Sequence, residues 1–126
     1  MLVGPPALMP EGLAPVSYEI AAIADADVVY VLRMQQERML AGANFVPSLR
    51  EYAERWRITP ERVRAGQRVM HPGPMNRGVE IDARVADSDA SLVVDQVRAG
   101  LVVRMAVLYD LLTTGPVAVE TAVGVA

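Results

Sequence analysis

With 126 residues, the chain has room for one hydrophobic core at most, because domains typically run to about 100–150 residues. It contains no cysteine, which excludes disulfides, thiolate metal sites and a cysteine nucleophile; 52% of its residues are hydrophobic, yet no uninterrupted apolar run reaches the ~18 residues that span a bilayer. A formal net charge of −3, with one Trp, one Phe and four Tyr, offers no basic, aromatic-laced surface to nucleic acid, so a small anionic ligand would have to be met by local arginines.

At the N-terminus, Gly4, Pro5, Pro6 and Pro10 stand where a signal peptide would need a basic start and a continuous apolar stretch, and a cytoplasmic location without a membrane partner is expected. "MLVG" is a first short strand candidate, closed by Gly4 and Pro5, and "VSYEI" a second with period-two alternation. "DVVYVLR", Asp27 to Arg33, is a near-continuous β-branched run of the kind buried on both faces of a parallel sheet. Leu49, Tyr52, Ala53 and Trp56 fall at i, i+3, i+4 and i+7, which predicts an amphipathic helix over 47–57 with Pro47 in its first turn. Thr59 and Pro60 open a short helix that Gly66 closes, and "QRVMHP" is a last strand. The longest helix is predicted over 89–112, with Asp87, Ser88 and Asp89 supplying caps; its apolar positions cover more than one stripe, so it needs partners on two sides. Gly115 and Pro116 break it, leaving 113–126 as a flexible tail. Strands alternating with helices predict one α/β domain over 1–112, built on an open parallel sheet whose ligands lie beyond the carboxyl ends of the strands.

Two polar motifs fall at such strand ends. "RMQQER", Arg33 to Arg38, follows "VVYVL": Arg33 offers a planar fork suited to a carboxylate, Gln35 an amide that donates and accepts, and Glu37 lies close enough to orient Arg33. The same residues can equally form a solvated turn whose ion pair contributes only about 0.3–0.5 kcal/mol. "HPGPMNRG" is the second motif. Pro72 and Pro74 have fixed φ and no backbone donor, while Gly73 lets a ligand approach the main chain; such a turn presents carbonyls rigidly to N–H groups of an amine or a carbamoyl group. His71, the chain's one histidine, reads as a hydrogen-bonded strand-end residue before it reads as a base. With no second His, no Cys and no converging carboxylates, neither metal nor cofactor is expected.

Together, "RMQQER", "FVPSLREY", "VMHPGPMNRGVEI" and the closing "VADSDASLVVDQVRAGLVVRMAVLYDLL" resemble the C-terminal, aspartate-binding domain of aspartate carbamoyltransferases, in order and over roughly 2–112. The related ornithine enzymes typically carry a cysteine where this chain has Pro72. The resemblance implies a Rossmann-like α/β fold with flanking helices and transfer of a carbamoyl group from carbamoyl phosphate to L-aspartate, the committed step of pyrimidine biosynthesis. It implies that Arg33 binds an aspartate carboxylate and Gln35 helps hold that substrate. The backbone of Gly73 and Pro74 then contacts the carbamoyl phosphate, the Gly73–Pro74 bond is cis, and Glu37, His71 and Pro72 support the site. The resemblance further implies that no protein nucleophile is needed and that full-length chains form a homotrimer.

Several family segments have no counterpart here: the carbamoyl-phosphate domain with its Ser-Thr-Arg-Thr motif, and the strand and helix that open the second domain with an "SRVARSN"-like segment. The chain is therefore expected to be an incomplete domain, inactive alone, either a truncated enzyme or one completed by a separate chain. A non-catalytic interaction module built on the same fold is the alternative, and the missing arginine leaves open a different amine as acceptor. The absent strand is central in the family's sheet, so two strands should be left with unpaired edges or be forced together. The closing helix should expose an apolar patch.

Overall fold

The structure, a computed structural model, describes residues 1–10, 12–35 and 48–113. Its strands pair in parallel as two short ladders. β1 (Leu2–Val3) lies beside β2 (Val16–Ser17), and β3 (Val28–Tyr30) lies beside β4 (Arg68–Met70), with Val29 opposite Val69. Parallel neighbours need a crossover, and among the described residues the one between β3 and β4 carries α1 (Leu49–Trp56) and a 3-10 turn, Pro60–Arg62. The architecture is α/β, as expected, but as two ladders rather than one continuous sheet.

The two ladders are separated by a groove of about 420 Å³, lined by Leu2, Val3, Val28, Tyr30 and Trp56 among others. Backbone direction alternates along a strand. Leu2 and Gly4 donate to the Pro15 and Ser17 carbonyls, while the Asp27 carbonyl and the Val31 N–H engage Arg68 and Met70. The intervening residues, Val3 on β1 and Val28 and Tyr30 on β3, therefore turn their main chains toward the groove. The facing edges stay apart instead of collapsing onto each other.

β3 departs from its prediction in one respect. Val29 and Val31 are buried, but Val28, Tyr30 and Leu32 are 48%, 51% and 64% exposed, so the strand is covered on one face only. The covered face joins Ile23, Ile58, Val69, Ile81 and Val85 in the core. Buried Gln67, just before β4, ties that core to the chain ahead of β3 by donating from Nε2 to the carbonyls of Ile23 (2.8 Å) and Ala26 (2.7 Å). This amide fixes where β3 begins relative to β4.

α1 begins at Leu49, with the Ser48 hydroxyl accepting from the Glu51 N–H at 3.0 Å. That is the Ser-x-x-Glu start signal, and it moves the cap to Ser48; Pro47 lies outside the described residues. The predicted short helix shrinks to the Pro60–Arg62 turn, and Thr59 makes no side-chain cap there.

The closing helix, α3, spans Val93–Thr113 instead of starting at Asp89. Residues ahead of it are held as strand: Val69 donates to the Ala90 carbonyl and Leu92 donates to the Val69 carbonyl, both at 2.8 Å. The expected caps have other partners. Asp87 ends a short helix, α2 (Ala83–Ala86), and grips Arg77 through two contacts of 2.6 and 2.8 Å, while the Ser88 hydroxyl donates to the Val85 carbonyl. Beyond its first turns α3 is exposed on all sides, Leu101, Met105, Leu108 and Leu112 included. No helix among the described residues is long and apolar enough to cross a membrane. α3 runs through Thr113; the rest of the predicted tail lies outside the described residues.

Candidate functional site

Because β3 and β4 are parallel neighbours with Tyr30 opposite Met70, the segments leaving their carboxyl ends emerge side by side. Arg33 is half-buried and Gln35 is exposed on the β3 side; on the β4 side Pro72 and Pro74 are exposed and Gly73 is half-buried. Glu37 lies outside the described residues. The Gly73–Pro74 bond is cis, and Gly73 has φ of +63°, in the left-handed region that only glycine adopts readily. Among the described residues no hydrogen bond reaches the carbonyl oxygens of Gly73 and Pro74.

His71 is fully buried. Its Nδ1 accepts the Gly73 N–H at 2.9 Å, and its Nε2 lies 3.3 Å from Glu80 Oε1. An acceptor nitrogen carries no proton, so this network assigns the neutral tautomer in which Nε2–H donates to Glu80. The ring is enclosed and engaged on both sides, and its Nδ1 ties down the Gly73 N–H of the turn.

Two residues that sequence reasoning did not single out hold this arrangement. Glu80, also fully buried, accepts at Oε1 from His71 and from the Asn76 main-chain N–H. Asn76 then reaches across to the other strand end, its Nδ2 donating to the Met34 carbonyl at 2.9 Å. Met34 sits between Arg33 and Gln35, so the two motifs are joined directly. The available signal was an acid between Val79 and Ile81, in the stretch that also holds the one histidine.

Burial, and then the nearby Glu80 charge, push the Tyr52 phenol from 10.0 up to about 12. A folded pKa above the unfolded one means this contribution is fully present below about pH 10 and lost as pH rises from 10 to 12. Shifts convert at about 1.4 kcal/mol per unit, so a shift of this size corresponds to roughly 3 kcal/mol, most of which should disappear over that interval. In urea melts across it, Tyr52→Phe should flatten the alkaline decline; an unchanged slope would remove Tyr52 as its source.

The large groove between the ladders is lined by Arg33 and Met34 but not by the Pro72–Pro74 turn, so cavity and turn are distinct places that share the Arg33 segment. Among the described residues no cluster of three or more His, Asp or Glu could hold a metal ion.

The structure is thus an α/β domain that places an arginine segment and a proline-bounded turn on adjacent strand ends. A family model described as the Asp/Orn binding domain of aspartate/ornithine carbamoyltransferase matches residues 11–111, and the chain belongs to that family. It is 52% identical over 124 residues to the aspartate carbamoyltransferase catalytic subunit of Beutenbergia cavernae, covering 91% of this chain and 37% of that protein. Among solved structures, it superposes on Trypanosoma cruzi aspartate transcarbamoylase in complex with carbamoyl aspartate and phosphate with a TM-score of 0.66, at 26% identity over 86% of this chain and 39% of that one. The catalytic subunit of M. jannaschii aspartate transcarbamoylase gives a TM-score of 0.56 and 33% identity, over 73% of this chain and 29% of that one. The chain thus spans little more than a third of the length of the curated relatives it matches.

Proposed function

We propose that this chain provides the aspartate-binding part of an aspartate carbamoyltransferase. The observation that carries the reading is the pairing of the Arg33–Gln35 segment with the Gly73–Pro74 turn at the adjacent ends of β3 and β4. Arg33 binds a carboxylate of L-aspartate through charge-assisted hydrogen bonds, and Gln35 helps to hold the same substrate. The Gly73 and Pro74 carbonyls accept from the N–H groups of the carbamoyl moiety and of the attacking amine, with His71 and Pro72 fixing the turn and Glu37 orienting Arg33.

In the transfer, the α-amino nitrogen of aspartate bonds to the carbamoyl carbon. The carbon–oxygen bond to phosphate breaks with its electron pair leaving on phosphate, and the proton lost by the nitrogen passes to the departing phosphate. Holding the two reactants in contact is the main requirement, and no protein nucleophile takes part. This chain spans little more than a third of its relatives' length and phosphate binding is assigned to the remainder, so the 126-residue chain alone should not turn over. The complete enzyme is a cytoplasmic homotrimer in this reading.

A chimaera tests it. Residues 2–113 replace the matching segment of the Beutenbergia cavernae catalytic subunit, and the product is assayed with carbamoyl phosphate and either L-aspartate or L-ornithine. Turnover with aspartate and none with ornithine is expected, and an assembled but inactive chimaera would overturn the proposal. One observation favours a second reading, a non-catalytic interaction module: the uncovered apolar surface of α3. That reading takes over if the assembled chimaera is inactive.

A further inference from the structure

Four hydrogen bonds form one continuous path between the two halves of the site. The Met34 carbonyl accepts from Asn76 Nδ2; the Asn76 N–H donates to Glu80 Oε1; the same oxygen accepts from His71 Nε2; and His71 Nδ1 accepts from the Gly73 N–H. Its interior members, Glu80 and His71, are fully buried, so they hold one geometry, whereas Gln35 at one end and Pro74 at the other are exposed. Asn76 is the one side chain that crosses from the β4 turn to the β3 segment along this path.

We propose that Asn76 is a positioning residue that sets the placement of Arg33 and Gln35 relative to the Gly73–Pro74 turn, and thereby the affinity for the amino-acid substrate. The inference rests on the functional reading above for the identity of that substrate; the link itself does not. Asn76 touches neither reactant in this scheme. It fixes the Met34 carbonyl, and with it the backbone from which the flanking Arg33 and Gln35 side chains project. Glu80 anchors Asn76 through the main chain, so replacing only the Asn76 side chain removes the crossing bond and leaves the turn's own network in place.

Asn76→Ala and Asn76→Asp are the informative changes, the second nearly isosteric but without the donor. In the chimaera the KM for aspartate should rise up to about tenfold in both variants, with kcat and the KM for carbamoyl phosphate little changed. In the 126-residue chain, the single-histidine 15N spectrum should show the Nε2–H tautomer in the wild type and in both variants, and the Asn76 side-chain amide should exchange slowly in the wild type. An unchanged aspartate KM in Asn76→Asp would overturn the proposal. So would equal losses in every kinetic parameter together with loss of the His71 tautomer, which would mark Asn76 as a general folding residue. A parent chimaera without turnover counts against the functional reading instead, and the exchange of the Asn76 amide then decides the link by itself.

Discussion

Arg33→Ala in the chimaera should raise the aspartate requirement steeply while leaving carbamoyl-phosphate affinity almost untouched. Arg33 is half-buried at the end of β3, where a guanidinium–carboxylate contact is less screened than on an open surface. Hydrogen bonds to charged groups contribute about 1.5–3 kcal/mol, so kcat/KM for aspartate should fall roughly 10- to 150-fold. Arg33→Lys should recover only part of this, because an ammonium keeps the charge but loses the planar fork. The measurement is a pair of saturation curves, one for each substrate. If aspartate saturation is unaffected, Arg33 is the solvated turn residue that its sequence also allowed. An equal loss for both substrates would mean that the substitution disturbs the whole strand end, and the Asn76 bond to Met34 offers a route for that disturbance.

The parts of the fold legible in the sequence were those fixed by local pattern. β3 declared itself by a β-branched run, β4 by the short apolar stretch Val69–Met70, and α1 by its apolar spacing. The strand-end turn was legible because Pro72, Gly73 and Pro74 restrict the backbone whatever surrounds them. Features depending on distant partners were not legible. Asp87 and Ser88 look like caps for a long helix, yet the structure spends them on Arg77 and on the end of α2, because residues 90–92 are drawn into strand pairing with Val69. Likewise, the near-continuous apolar run suggests that "DVVYVLR" is buried on both faces, but burial depends on what packs above the strand. Over β3 the start of α3 contributes one contact, Gln96 Nε2 donating to the Tyr30 hydroxyl at 2.7 Å, and Val28, Tyr30 and Leu32 stay exposed. Glu80 and Asn76 escaped notice for the same reason. An acid in a turn reads as solvated until the chain closes over it, and only the fold brings the Met34 carbonyl within reach of Asn76.

Removing the Glu80 carboxylate should cost more stability than any surface change in the chain. Glu80→Ala leaves the His71 Nε2–H and the Asn76 N–H without their shared acceptor, and each buried donor left unmet costs about 1–3 kcal/mol. A loss of about 3 kcal/mol would lower the melting temperature by roughly 10 °C in a domain of this size. Glu80→Gln separates the two contributions of the carboxylate. Its amide oxygen can still accept both hydrogen bonds, whereas the charge disappears. That charge is enclosed beside a neutral imidazole, and its second oxygen, Oε2, is buried without a hydrogen-bond partner, so desolvation opposes it. Glu80→Gln should therefore lie within about 1 kcal/mol of the wild type and keep the His71 tautomer, in contrast to Glu80→Ala. Thermal melts of the two variants, read beside the single-histidine spectrum, decide the matter. If Glu80→Gln were as damaging as Glu80→Ala, the negative charge itself would be the stabilising element, and the neutral assignment of His71 would have to be abandoned.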